Sequence, residues 1–133
     1  MLGVENHFLD VLNYQVSDTR IKDYKEAHVL VIQIQDTIKE HVRGLERYIE
    51  KLGVESSKAA TFKKAATKVT GVTTGLYNLM RREDSVMRNL RDDYTALNLA
   101  AISYTMLHST ALALDDGELA ALSLKNLKEL TPL

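Results

Sequence analysis

The sequence predicts an all-α fold, an antiparallel helical bundle built as a single domain over residues 1–133. Three observations lead there. Tyr24, Ala27, Val31, Ile34, Ile38, His41, Leu45, Tyr48 and Leu52 recur at alternating three- and four-residue steps, the pattern of a helix with one buried stripe. Residues 85–114 repeat that period on two faces. One proline and six glycines leave little turn chemistry for a β fold.

The elements follow in order. Phe8, Leu12 and Val16 stand four residues apart and predict a short helix over residues 1–16. Ser17 or Asp18 then offers a side-chain oxygen to cap a long helix over residues 18–52. Within it "VLVIQIQ", residues 29–35, is rich in β-branched side chains and reads locally as a strand. The helical period continues beyond it to Leu52 with no turn residue between, so helix is predicted over the local β-propensity. Gly44 weakens this helix and Gly53 terminates it. At 1.5 Å per residue the rod is ~50 Å long and outreaches its short neighbours. Part of its stripe then needs cover from another subunit, unless the helix breaks at Gly44.

Residues 56–70 place Ala59, Phe62, Ala66 and Val69 on one face with lysines opposite, a short basic helix started by Ser56 or Ser57. "TGVTTG" marks residues 71–84 as a linker. In the core helix, residues 85–114, Leu90, Leu97, Tyr104 and Ala111 form one row, and Leu99, Ile102, Met106 and Leu112 a second. A helix apolar on two faces is expected to be covered on both. Asp115 is the expected N-cap of a last helix, residues 117–131, with Glu118 as its capping-box partner and Ala120, Leu124 and Leu127 as its stripe.

Composition narrows the function classes. Cysteine is absent, so neither a disulfide framework nor a thiolate metal site can form. The N-terminus has no basic region followed by an apolar run, and no apolar stretch approaches ~20 residues. A cytoplasmic protein without a membrane span is expected. The net charge of -1 hides a gradient, for residues 56–91 hold eight basic and two acidic side chains. Lys63, Lys64, Lys68, Arg81, Arg82 and Arg88 could hold an acidic protein partner, or lie against the acidic flanks of the same fold. Nucleic-acid binding is not expected, because no aromatic or base-reading residues are interleaved with these charges.

The chain has no serine in a strand-turn-helix elbow and no phosphate-binding glycine loop, so no catalytic residue is assigned. A di-iron centre in a bundle needs Glu-x-x-His pairs, which put both ligands on one helix face. The residues three before His28, His41 and His108 are Lys25, Ile38 and Thr105, so no such pair exists. Tyr24 with His28, and Tyr104 with His108, share a helix face at four-residue spacing. Each pair is a candidate polar core pair or proton relay, or two amphipathic side chains with apolar bodies inside and polar tips in water.

Four segments resemble ferritin-like four-helix-bundle proteins, in particular the small bacterial branch near the YciF-type stress proteins. "DYKEAH" is similar to the start of that branch's first helix and "EHVRGLERYIEKLG" to the end of its second. "NLRDDYTALNLAAISYTMLHSTALAL" and "LKNLKELTPL" resemble its third and fourth. The resemblance implies a homo-oligomeric bundle with a role in stress or iron homeostasis. It also implies that the first and second helices are fused here into one long helix, the bundle being completed by another chain. The expected ligands are largely missing: Val31 stands at the first-helix glutamate, Ala100 or Ala101 at the third, and the fourth-helix pair falls near Glu129 and Pro132. His41 matches the second-helix histidine.

The expected function is therefore that of a non-catalytic, oligomeric structural or protein-interaction module with a degenerate metal site and no cofactor. The first alternative is an iron- or manganese-binding protein, an oxidase or iron handler, using His28, His41, His108 and Glu129. The second is an adaptor that holds an acidic partner through residues 58–91.

Overall fold

The computed structural model describes residues 1–53 and 86–133. Helix α1 spans Leu2–Ser17, a 3-10 turn Thr19–Asp23, α2 Lys25–Lys51, α3 Val86–Ala113 and α4 Gly117–Leu130. No strand occurs among the described residues. The predicted basic helix over 56–70 and the linker over 71–84 lie outside them, and so do Lys63, Lys64, Lys68, Arg81 and Arg82.

Cross-helix contacts fix the topology. On α1 and α2, Glu5 meets His41 and Asn13 meets Gln35. On α3 and α4, Tyr104 meets Asn126 and His108 meets Ala120. One index rises as the other falls, so each pair is an antiparallel hairpin. The hairpins face each other in the same sense: His41, Tyr48 and Lys51 of α2 meet Glu129, Asp116 and Glu118 of α4. Gln15 of α1 meets Asp93 of α3. The described residues form an all-α antiparallel bundle of four helices, with closer packing within each hairpin than between them.

The strand-like "VLVIQIQ" is helical. A strand would set Val29 and Val31 on one face, whereas Val29 is 65% exposed and Val31 fully buried. Val31, Ile34, Ile38, His41, Val42 and Leu45 form the buried side of α2, and Phe8, Leu12, Leu97, Ala100, Tyr104 and Leu130 close around it. Each fully buried aliphatic side chain there contributes about 1.5–3 kcal/mol of transfer free energy. The stripe fades at its ends, where Tyr24 and Leu52 are exposed.

Two expectations change. The long helix starts at Lys25 rather than residue 18, because Thr19–Asp23 forms a 3-10 turn capped by the Asp18 side chain, which accepts from the Arg20 amide at 2.9 Å. The bonds from Arg20 also hold the Asp18 carboxyl below its usual range. This turn folds α1 back along α2, so the neighbour that a fused rod would lack is supplied by the same chain. Helix α2 also runs unbroken through Gly44. A Cβ at that position would lie 3.2 Å from Leu122 Cδ1, so the glycine admits a close approach of α4. Finally, Asp116 rather than Asp115 caps α4, accepting from the Leu119 amide at 2.9 Å. Asp115 takes a left-handed conformation, φ 55°, that turns the chain between the two helices.

The second apolar row of α3 is not covered as expected. Leu99, Ile102, Met106 and Leu112 are each more than half exposed.

Candidate functional site

The buried stripes of all four helices carry polar residues where they face one another. Glu5, Gln15, His41, Asp93, Ser123 and Asn126 are each almost completely buried. Glu5, Phe8, Leu12 and Gln15 step by three and four along α1; Asp93, Leu97, Ala100 and Tyr104 do the same along α3. These polar side chains therefore occupy positions that the helical period assigns to the core.

His41 is the centre of the group. Its Nδ1 lies 3.3 Å from Glu5 Oε1 and its Nε2 3.2 Å from Glu129 Oε2. A neutral imidazole has one N–H to give and an imidazolium two, so donation to both carboxylates would take the imidazolium. Tyr104 meets the ring edge-on, with centroids 5.5 Å apart. Its hydroxyl accepts from Asn126 Nδ2 at 2.9 Å. Burial, then the Glu5 charge beside it, holds the Tyr104 phenol well above its usual range, so it stays protonated.

A second buried pair joins the hairpins farther along. Gln15 Nε2 donates to Asp93 Oδ1 at 2.9 Å, while Gln15 Oε1 and Asp93 Oδ2 have no partner. A proton on Oδ2 would supply the donor that both orphan oxygens lack. Burial pushes the Asp93 carboxyl up to about 7, with the Gln15 bond opposing and the neighbouring Asp92 charge adding.

Of the four residues named for a metal, the structure brings together His41 and Glu129 and leaves the other two apart. His28 lies at the start of α2, its amide bonded to the Tyr24 carbonyl, with the Tyr24 ring exposed. His108 Nδ1 donates to the Ala120 carbonyl at 2.8 Å, a bond between α3 and α4. Neither Tyr24 with His28 nor Tyr104 with His108 forms a side-chain pair. Tyr104 is buried and bonded to Asn126, so it does not reach water as an amphipathic side chain would. Arg88 lies near the start of α3.

Glu5 completes a carboxylate–imidazole–carboxylate group that the sequence did not announce as a site. Its two carboxylates lie at opposite nitrogens of the ring, so they cannot converge on one ion together with an imidazole lone pair. Among the described residues no group of three His, Cys, Asp or Glu side chains could hold a metal ion. An iron or manganese centre therefore does not fit this arrangement. What the group can do is fix the register of the two hairpins, since the Gln15–Asp93 and His41–Glu129 bonds each have one partner on either side, while Glu5–His41 ties α1 to α2 within one hairpin.

Comparison of the chain with family models, curated proteins and solved structures gave no match. Among the described residues, no helix is long and apolar enough to cross a membrane.

Proposed function

We propose that the protein is a non-catalytic helical module whose work is protein interaction. The observation that supports this is the outer face of α3. Leu99, Ile102 and Met106 stand at three- and four-residue steps on the side away from the core, and are 55%, 59% and 66% exposed. A contiguous apolar face of this kind on a folded domain marks an interaction surface. In the inner polar group both His41 nitrogens and the Tyr104 hydroxyl already have partners, and the unpaired buried oxygen is Glu5 Oε2.

The all-helical architecture of the described residues agrees in fold class with what the ferritin-like resemblance implies. The closed geometry around His41 favours a structural group over an iron or manganese centre. Elemental analysis of protein produced with either metal supplied checks this. Stoichiometric metal that disappears in His41→Ala would replace the interaction reading with the metal-binding one. A stress-related role and a cytoplasmic location belong to the same proposal.

The direct test replaces Ile102 and Met106 with glutamate in one variant. Unchanged helix content by circular dichroism, with protein–protein association lost, is the expected result. Loss of helix content would mean that the face belongs to the folded core, against the proposal.

A further inference from the structure

We infer that the Gln15 and Asp93 pair is a proton-dependent latch: loss of the Asp93 proton parts the end of α1 from the first turns of α3, while contacts between α2 and α4 hold the hairpins together at the other end. The inference does not rest on the interaction reading above. It follows from where the pair sits and from what its two side chains lack.

Glu5 of α1 meets His41, and Gln15 stands ~15 Å farther along that helix. Tyr104 of α3 meets Asn126, and by that register α4 ends at Leu130 about two turns short of Asp93. The pair therefore joins the hairpins where α3 has no α4 beside it. The bonds from α2 to α4, His41 to Glu129, Tyr48 to Asp116 and Lys51 to Glu118, lie toward the opposite end. Helix α1 packs far more closely on α2 than on α3. The α1 and α3 contact can thus part with both hairpins intact.

Gln15 Nε2 donates to Asp93 Oδ1 at 2.9 Å, and Gln15 Oε1 and Asp93 Oδ2 are both buried without a partner. With a proton on Oδ2, carboxyl and amide can exchange two hydrogen bonds, each group giving one and accepting one. Without it, Oδ2 and Oε1 are two acceptors with no donor between them, and turning the amide over only changes which oxygen is left. A buried carboxylate held by one donor gains by hydration. Parting the helices admits that water. Leu12 of α1 and Leu97 of α3, one turn inward, favour closure while the proton is in place.

The surrounding charges do not replace the proton. On α3, Arg91 is paired with Asp92, and Arg88 stands roughly 140° around the helix from Asp93. On α1, Asp10 is exposed, and at its end Asp18 is bound to Arg20. In the 3-10 turn Lys22 and Asp23 are exposed. On the first half of α2, Lys25, Glu26 and Asp36 are exposed, Lys39 is bonded to Gln35 and Asp36, and His28 is half-buried. Of these, the charge that reaches Asp93 is that of Asp92, which disfavours ionisation. Burial, the larger cause, pushes the Asp93 carboxyl up to about 7 against the pull of the Gln15 bond, and this sets the change near neutral pH.

The chain has no native cysteine, so introduced cysteines carry spin labels without background. Tyr14→Cys with Tyr94→Cys spans the latch, and Arg47→Cys with Ala121→Cys spans α2 and α4, all four positions being exposed. Label distances are measured by pulsed electron paramagnetic resonance at about pH 5 and about pH 9, either side of the change, with circular dichroism at both. The distance from 14 to 94 is expected to lengthen by several ångström at the higher pH, while that from 47 to 121 and the helix content stay constant. In Asp93→Asn, whose amide can serve both Gln15 atoms at any pH, the distance from 14 to 94 is expected to keep its short value throughout. Should that variant fail to fold, Asp93→Leu removes the titrating group in its place and is expected to show no pH response. An unchanged distance from 14 to 94 in the otherwise wild-type chain would overturn the latch. So would equal lengthening of both pairs with loss of helix content, which is unfolding, or a pH response that persists without Asp93.

Discussion

His41 Nδ1 lies 3.3 Å from Glu5 Oε1, and both side chains are almost wholly shut off from solvent. The pair holds α1 to α2 at the depth where α3 and α4 also meet them. A buried charge left without its partner is costly, so His41→Ala is expected to destabilise the fold by about 3–5 kcal/mol. Replacing Glu5 and His41 together with leucine removes both buried polar partners and is expected to cost much less than His41→Ala alone. Urea unfolding of the two variants checks this. Equal losses in both would mean that the pair acts as packing and not as an ion pair.

Tyr104→Phe leaves Asn126 Nδ2 without the hydroxyl that accepts from it at 2.9 Å. An unsatisfied buried donor of this kind costs about 1–3 kcal/mol. The same deletion at Tyr94, 69% exposed, is expected to change stability by less than about 0.5 kcal/mol. Thermal or urea melts of the two variants should therefore differ clearly.

Stability should fall as pH rises from about 4 to about 7. The folded state holds the Asp93 proton up to about 7, while the unfolded chain releases it near 3.8. Between those values the folded state binds more protons, so stability is fully present below the lower one and declines by up to about 1.4 kcal/mol per pH unit. Above the folded value this contribution is gone and the curve levels. Asp93→Asn keeps an amide that can donate to Gln15 Oε1 and accept from Gln15 Nε2. The variant is expected to match the wild type near the low end and to exceed it at pH above the folded value, in urea unfolding followed across this range.

Gly44→Ala tests the close approach of α4. Alanine is favoured over glycine inside a helix by about 1 kcal/mol. The atom in its way, Leu122 Cδ1 at 3.2 Å, is the end of a half-buried side chain. Its freedom to yield a few tenths of an ångström makes a net gain in stability the expected outcome. A loss in urea unfolding would show that Leu122 is held.

Much of the bundle was legible in the sequence, because a three-four apolar period identifies a helix whatever its residues prefer locally. That is why Val31 and Ile34 could be placed on a helix despite their β-branched neighbours. The 3-10 turn at Thr19–Asp23 was not, since Asp18 can cap either a long helix or a short turn and the apolar row continues through Tyr24 in both cases. With that turn misplaced, α1 was not expected along α2, where it covers part of the stripe. The polar centre was half legible. His41 stood on the predicted stripe, but Glu5, Gln15 and Asp93 are charged or polar, and the apolar period passes over them. Glu5 stands three before Phe8, Gln15 three after Leu12 and Asp93 four before Leu97, so stepping along the helical period without regard to polarity reaches all three. The pairing of Glu129 with His41 joins residues 88 positions apart, and no local pattern carries that.

The surface of α3 was legible as two apolar rows, with cover expected for both. The structure buries one and exposes the other. The measurement that tests the resulting account most directly is urea unfolding of the variant with glutamate at both 102 and 106, beside the wild type. A change of less than about 0.5 kcal/mol per substitution is expected, as for other surface positions. A loss several times larger would place the face in the folded core and contradict it.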